Sequence, residues 1–185
     1  MPYTLNHLSL EPPMKTVLLL CATLATLATL ASCALDGPPA GPSATARLQS
    51  KSGSTVSGSI TFTQVGDNVR VTGNVSGHSR GPKGFHIHEK GDCSSADGMS
   101  SGGHFNPAKS KHGAPGAGHA GDFGNIVFDD YGTATVRMTV SGIAVNKSAA
   151  NGIIGLAVII HAQADDLKTD PTGNAGGRVA CGVIE

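Results

Sequence analysis

The chain has 185 residues, with 13 basic and 13 acidic side chains, 26 glycines and no tryptophan. The balanced charge gives no indication of nucleic acid or an anionic membrane surface as a partner. Many glycines and few aromatics argue against a helical bundle and suit a turn-rich β-protein. Residues 1–13 read as an upstream start-codon extension. Met14-Lys15 then opens a short basic segment ahead of Thr16 to Ala31, an apolar run of Leu, Ala and Thr. The run is too short and too bare of flanking anchors for a comfortable membrane span, and it fits the hydrophobic part of a secretory signal.

That run ends in Leu30-Ala31-Ser32-Cys33, which resembles the lipobox of bacterial lipoproteins. Residues 1–32 are therefore expected to be extension and signal peptide, and Cys33 an acylated first residue. Ordinary cleavage near Ala31, with Cys33 left as a free thiol, is the alternative. Residues 34–44 (ALDGPPAGPSA) lack apolar periodicity and are expected to tether the domain. The chain is thus expected in the periplasm or cell envelope. Ala34 rather than Asp after the cysteine favours, by resemblance to Gram-negative lipoproteins, anchorage to the outer membrane. Cys21 falls in the signal, so Cys93 and Cys181 remain, and an even pair in an exported domain reads as one disulfide. Closing a loop of roughly ninety residues contributes about 4–5 kcal/mol in the chain-entropy model.

Residues 45–185 form one domain of ordinary size. Period-two alternation predicts strands at Val56 to Thr63, Val69 to Val75 and Ala134 to Val140, with a hairpin signal at Gly66-Asp67-Asn68 between the first two. Gly84 to Glu89, Asn125 to Phe128, Ile153 to Ile160 and Arg178 to Ile184 are further candidates. No long stretch keeps a helical period. About eight short strands with turn punctuation predict an all-β antiparallel sandwich or barrel. Residues 90–121 and 162–177 are long, Gly- and Ser-rich and without period, as functional loops commonly are.

Six of the eight histidines gather around these loops: His86, His88, His104, His112, His119 and His161, with Asp122 three residues after His119. His86 and His88 are two apart on a predicted strand, so their rings share a face. With His161 and His104 they would make an all-nitrogen site, a donor set that favours Cu(II). His104, His112, His119 and Asp122 would make a closed N3O site suited to zinc. His104 then serves both metals, which requires loss of both ring protons.

The strings GFHIHEKGD, GGHFNP, KHGAP, HAGDFGN, HAQADDL and GNAGGRVACGVI resemble, in order, those of the copper/zinc superoxide dismutase family, over about residues 45–185. The resemblance implies an eight-stranded Greek-key barrel with two long functional loops. It implies one copper on His86, His88, His104 and His161, and one zinc on His104, His112, His119 and Asp122. Cys93 and Cys181 match its disulfide, Arg178 its anion-positioning arginine, and Asp165 the carboxylate that links ligands of both metals. The implied activity is disproportionation of superoxide to oxygen and hydrogen peroxide by one-electron cycling at copper, with His104 exchanging a proton. Partners reduce to superoxide and, through the lipid anchor, a membrane. A homodimer is one option, since dimer contacts differ between bacterial and eukaryotic members. The segment 162–177 is shorter than in the eukaryotic enzymes and carries few charges, which puts strong substrate guidance by that loop in doubt. His78, Asp129 and Asp130 read as turn residues, and Glu89 and Asp92 as loop acids.

Overall fold

The structure is a computed structural model and describes residues 40–185. The expected signal peptide, the acylated Cys33 and most of the expected tether lie outside the described residues. Eight antiparallel strands form a single sheet in the order β5-β4-β7-β8-β1-β2-β3-β6. They are β1 (Ala40–Ser50), β2 (Ser57–Val65), β3 (Asn68–Ser76), β4 (Gly81–His88), β5 (Asp122–Phe128), β6 (Thr133–Val140), β7 (Ala157–His161) and β8 (Arg178–Val183). The end strands β5 and β6 approach each other across a short turn, so the sheet curls into a nearly closed barrel. Among the described residues the only helix is one 3₁₀ turn, Met99–Ser101.

The alternation seen in the sequence does what period two demands. Ile60, Phe62, Val69, Val71, Val75, Ala134 and Val136 point into the barrel, and the hydroxyls and arginines between them stay outside. From the other side Phe85, Ile87, Val158 and Ile160 close the same core. Phe123 stacks edge-on to Phe85 at 5.5 Å between centroids and lies 6.4 Å from Phe62.

One boundary needs correction. Residues 40–44, expected as the end of a tether, are the first part of β1, which pairs with β2 from Ala40↔Val65 onward. The signal is weak because the inward residues include two alanines, Ala44 and Ala46, and because the segment opens among prolines. Pro42, which cannot donate to a ladder, falls where the pairing shifts register between Ala40 and Ser43. β1 also pairs with β8 through Gln49↔Cys181 and Ser50↔Ala180, and so joins the two halves of the barrel. The strand expected from Ile153 begins only at Ala157, and 153–156 is a turn leading into it.

Candidate metal centre

β4 is buried on both faces. Phe85 and Ile87 enter the core, while His86 and His88 project to the opposite side, where the two long loops cover them. β7 runs antiparallel to β4, pairing His88 with Ala157 and Phe85 with Ile160, which carries His161 to the same outer side. Two register shifts fall beside these ligands, one between Gly84 and His86 and one between Ile160 and His161. Bulges of this kind re-aim side chains next to sites. Gly84 allows the approach: a Cβ there would lie 2.8 Å from Ala175 Cβ and 3.2 Å from His86 Cε1.

His104 reaches this face by a backbone weave. Phe105 N–H donates to Ile87 O at 2.8 Å, Ile87 N–H to Gly121 O at 2.9 Å, and Gly121 N–H to Phe105 O at 2.9 Å. The three bonds pin both ends of the 104–121 segment to β4. Cys93 and Cys181 are bonded as a disulfide, which ties the start of the same loop to β8.

Two four-residue groups result. His86, His88, His104 and His161 bring one nitrogen each to within 4.8 Å of one another, and so do His104, His112, His119 and Asp122 with one ligand atom each. All are buried, and His104 belongs to both groups. The outer hydrogen bonds fix which nitrogen of each ring turns inward. His88 Nδ1–H donates to Gly102 O at 2.9 Å and His161 Nδ1–H to Gly176 O at 3.1 Å, leaving Nε2 on each. These two Nε2 atoms face one another at 3.4 Å. His86 Nε2–H donates to Asp165 Oδ2 at 2.8 Å and His112 Nε2–H to Asp165 Oδ1 at 2.9 Å, leaving Nδ1 on each. One carboxylate thus holds a ring from each group, and its amide and carbonyl are in turn held by the Asn125 side chain at 2.8 and 2.9 Å. Gly173, at φ +63°, passes so close to Asp165 and His112 that a Cβ would collide with both.

The donor set fits metal ions on its own chemistry. His86 Nδ1, His104 Nε2 and His112 Nδ1 are buried without a hydrogen-bond partner among the described residues. Buried polar atoms are seldom left so, and these three, two in the all-histidine group and one in the other, mark places where a cation completes the bonding. His112 Nδ1 does approach Asp122 Oδ2 at 3.0 Å, but without hydrogen-bond geometry. Asp122 Oδ1 accepts from His104 Nδ1 at 2.8 Å and His119 Nδ1 at 3.1 Å, protons that a dication would replace. Burial is the main force lowering the basicity of His86, of His88 and, to about 3, of His161, so each ring is neutral and able to ligate. Burial pushes the Asp165 and Asp122 carboxyls up. Hydrogen bonds from His86, Leu167 and His112 outweigh it for Asp165, which falls to about 2. Those from His104, His119 and Gly113 outweigh it for Asp122. Both are carboxylates.

Arg178 opens β8 beside the histidine cluster. Its Nη1 donates to Gly98 O at 2.9 Å and Ser101 Oγ at 3.0 Å, and its Nη2 to Gly102 O at 2.7 Å. Gly102 O also receives His88 Nδ1–H, so one carbonyl seats both the guanidinium and a ligand ring. Asp165, Arg178 and every histidine singled out as a ligand therefore converge.

The remaining residues read from sequence lie elsewhere. Asp129 and Asp130 form a turn, with Asp130 paired to Arg80 in an exposed salt bridge. Glu89 accepts from Gly103 N–H and Asp92 from Ser94 N–H, both as loop supports. Sequence reasoning missed Asn125, Ser101 and a contact of His78. The His78 ring packs on Phe128 at 5.0 Å and donates through Nε2 to His161 O at 3.1 Å. Asn125 lies inside a quoted string, HAGDFGN, but nothing in an isolated Asn reveals its partner. Ser101 is one of several loop serines.

The family model described as copper/zinc superoxide dismutase matches residues 56–184. Among solved structures, that of a protein named the clock protein EA4 is similar at 46% identity and a TM-score of 0.70, over 77% of this chain and 92% of the other.

Proposed function

This chain belongs to the copper/zinc superoxide dismutase family, and from that premise we propose that it disproportionates superoxide to oxygen and hydrogen peroxide at a histidine-bound copper beside a structural zinc. One observation carries the reading: two buried ligand groups share His104, and a guanidinium held by neutral acceptors stands beside the all-histidine group. Copper would be held by His86 Nδ1, His88 Nε2, His104 Nε2 and His161 Nε2, and zinc by Nδ1 of His104, His112 and His119 with Asp122. When bound, copper supplies the one-electron redox couple.

The protein's own groups do the rest. Arg178 carries an undivided positive charge at the edge of the site and draws in the anion. His104 holds a proton at Nε2 when that nitrogen is not ligating and can return it to the reduced product. Asp165 keeps Nε2 of His86 and His112 protonated, which commits both Nδ1 atoms inward. The zinc group fixes the 104–122 loop, which has little apolar content of its own. We also propose export and anchorage through an acylated Cys33, motivated by the apolar run and Leu-Ala-Ser-Cys. Intact mass and membrane fractionation of wild type and Cys33→Ala check this; an unmodified N-terminus on a soluble wild-type chain removes the anchor.

The likeness to a clock protein makes a catalytic assay, not a fold, the deciding experiment. Purified protein loaded with copper and zinc is expected to hold one of each and to consume superoxide. A fully loaded chain without turnover would make it a metal-binding member of the family.

A further inference from the structure

We propose that Ser101 is a positioning residue for Arg178, fixing which of its N–H groups remain free for an anion. The inference rests on the reading of Arg178 as the group that receives the substrate, and it goes beyond that reading to a residue not among the metal ligands.

Ser101 is fully buried and ends the 3₁₀ turn Met99–Ser101. Its hydroxyl donates to Gly98 O at 2.8 Å, one turn back. With its single proton committed there, Oγ can only accept from Arg178 Nη1, at 3.0 Å. The hydroxyl is therefore oriented toward the guanidinium before any ligand arrives.

A guanidinium has five N–H groups. Here Nη1 donates to Gly98 O and Ser101 Oγ, and Nη2 to Gly102 O. That accounts for three and, among the described residues, leaves Nε–H and one Nη2–H without a partner, the number a small anion can use as a fork. Among the described residues every acceptor is neutral and no carboxylate forms a direct ion pair with the guanidinium. Burial lowers the Arg178 pKa and the nearby Asp97 raises it, without removing the charge. Removing the Ser101 acceptor frees one Nη1–H and lets the plane rotate about its remaining two anchors. The same positive charge then stays near the site with its donors no longer aimed.

The test uses the copper- and zinc-loaded protein and azide as probe, with affinity followed by the visible absorption change. Ser101→Ala, Arg178→Ala and the double variant are compared with wild type, together with copper and zinc content. Ser101→Ala is expected to weaken azide about 10-fold, the lower range for one hydrogen bond to a charged group, at unchanged metal content. In the Arg178→Ala background the same change should have no further effect, and Ser101→Thr, which keeps the hydroxyl, should recover most of the affinity. Wild-type affinity in Ser101→Ala overturns the proposal. So does an equal loss with and without Arg178, or a loss of metal, since either makes Ser101 structural. Absence of superoxide turnover in wild type would instead strike the proposed function, and the azide comparison would still stand.

Discussion

The two halves of the barrel are built from the same number of strands and differ in regularity. In the half β1-β2-β3-β6, β2 and β3 pair without interruption from Ser57↔Ser76 to Val65↔Asn68, and β3 and β6 from Val69↔Val140 to Ser76↔Thr133. Its inner face is apolar and its outer face carries Thr, Ser, Asn and Arg. In the half β5-β4-β7-β8 the ladders slip beside His86 and His161, and the outer side that carries His86, His88 and His161 is buried under loops. The β2–β3 and β3–β6 ladders thus keep regular pairing and the one shift of that half lies at the start of β1, beside Pro42, whereas the other half gives up regular pairing where imidazoles must converge. A bulge costs ladder hydrogen bonds but re-aims a side chain that strict alternation would misplace.

The two halves should fail differently. The largest effect is expected from Phe62→Ala in the regular half. Truncating a fully buried phenylalanine costs about 3–5 kcal/mol. Denaturant unfolding should show that loss while copper and zinc stoichiometry in the folded protein stays unchanged. Cys93→Ser should reverse the pattern. Losing the bridge to Cys181 should cost about 2–5 kcal/mol and, by loosening the loop that delivers His104, also weaken metal retention in a chelator competition.

The metal-free protein should sharpen the contrast through pH. His86, His88 and His161 have folded pKa values lowered by burial, His161 to about 3. The unfolded chain therefore takes up protons first, so stability falls as pH drops below about 6.5 and goes on falling toward 3. Urea midpoints of the metal-free protein across that range check it; a flat profile would mean the rings are not neutral and buried. Arg178→Glu should keep the barrel folded and both metals bound, and lower the rate with superoxide about 10-fold or more at low ionic strength, less so in salt. Stopped-flow rates at two ionic strengths decide that. Smallest of all, Thr135→Ala on the exposed face of β6 should move stability by no more than about 0.5 kcal/mol.

The same division governs what could be read from the sequence. Alternating Val, Ile, Phe and Thr announced β2, β3 and β6, because one buried face leaves a period-two trace. β1 left almost none: Ala44 and Ala46 are small and the segment begins beside Pro39 and Pro42. β7 is buried on both faces, so its apolar run marks a position without an orientation. In the site, histidine type and spacing were legible because few other roles need six imidazoles so placed. The supports were not. Asn125, Ser101 and the His78 contact act through tertiary neighbours 40, 77 and 83 residues away in the chain, and no local pattern encodes such distances.

The sharing of His104 between the two ligand groups is the claim on which the rest depends, and metal analysis of His104→Ala tests it most directly. Removing one ring should lower zinc as well as copper retention and leave the barrel folded, because His104 supplies Nδ1 to one group and Nε2 to the other. A folded variant that retains a full complement of zinc would contradict the shared ligand.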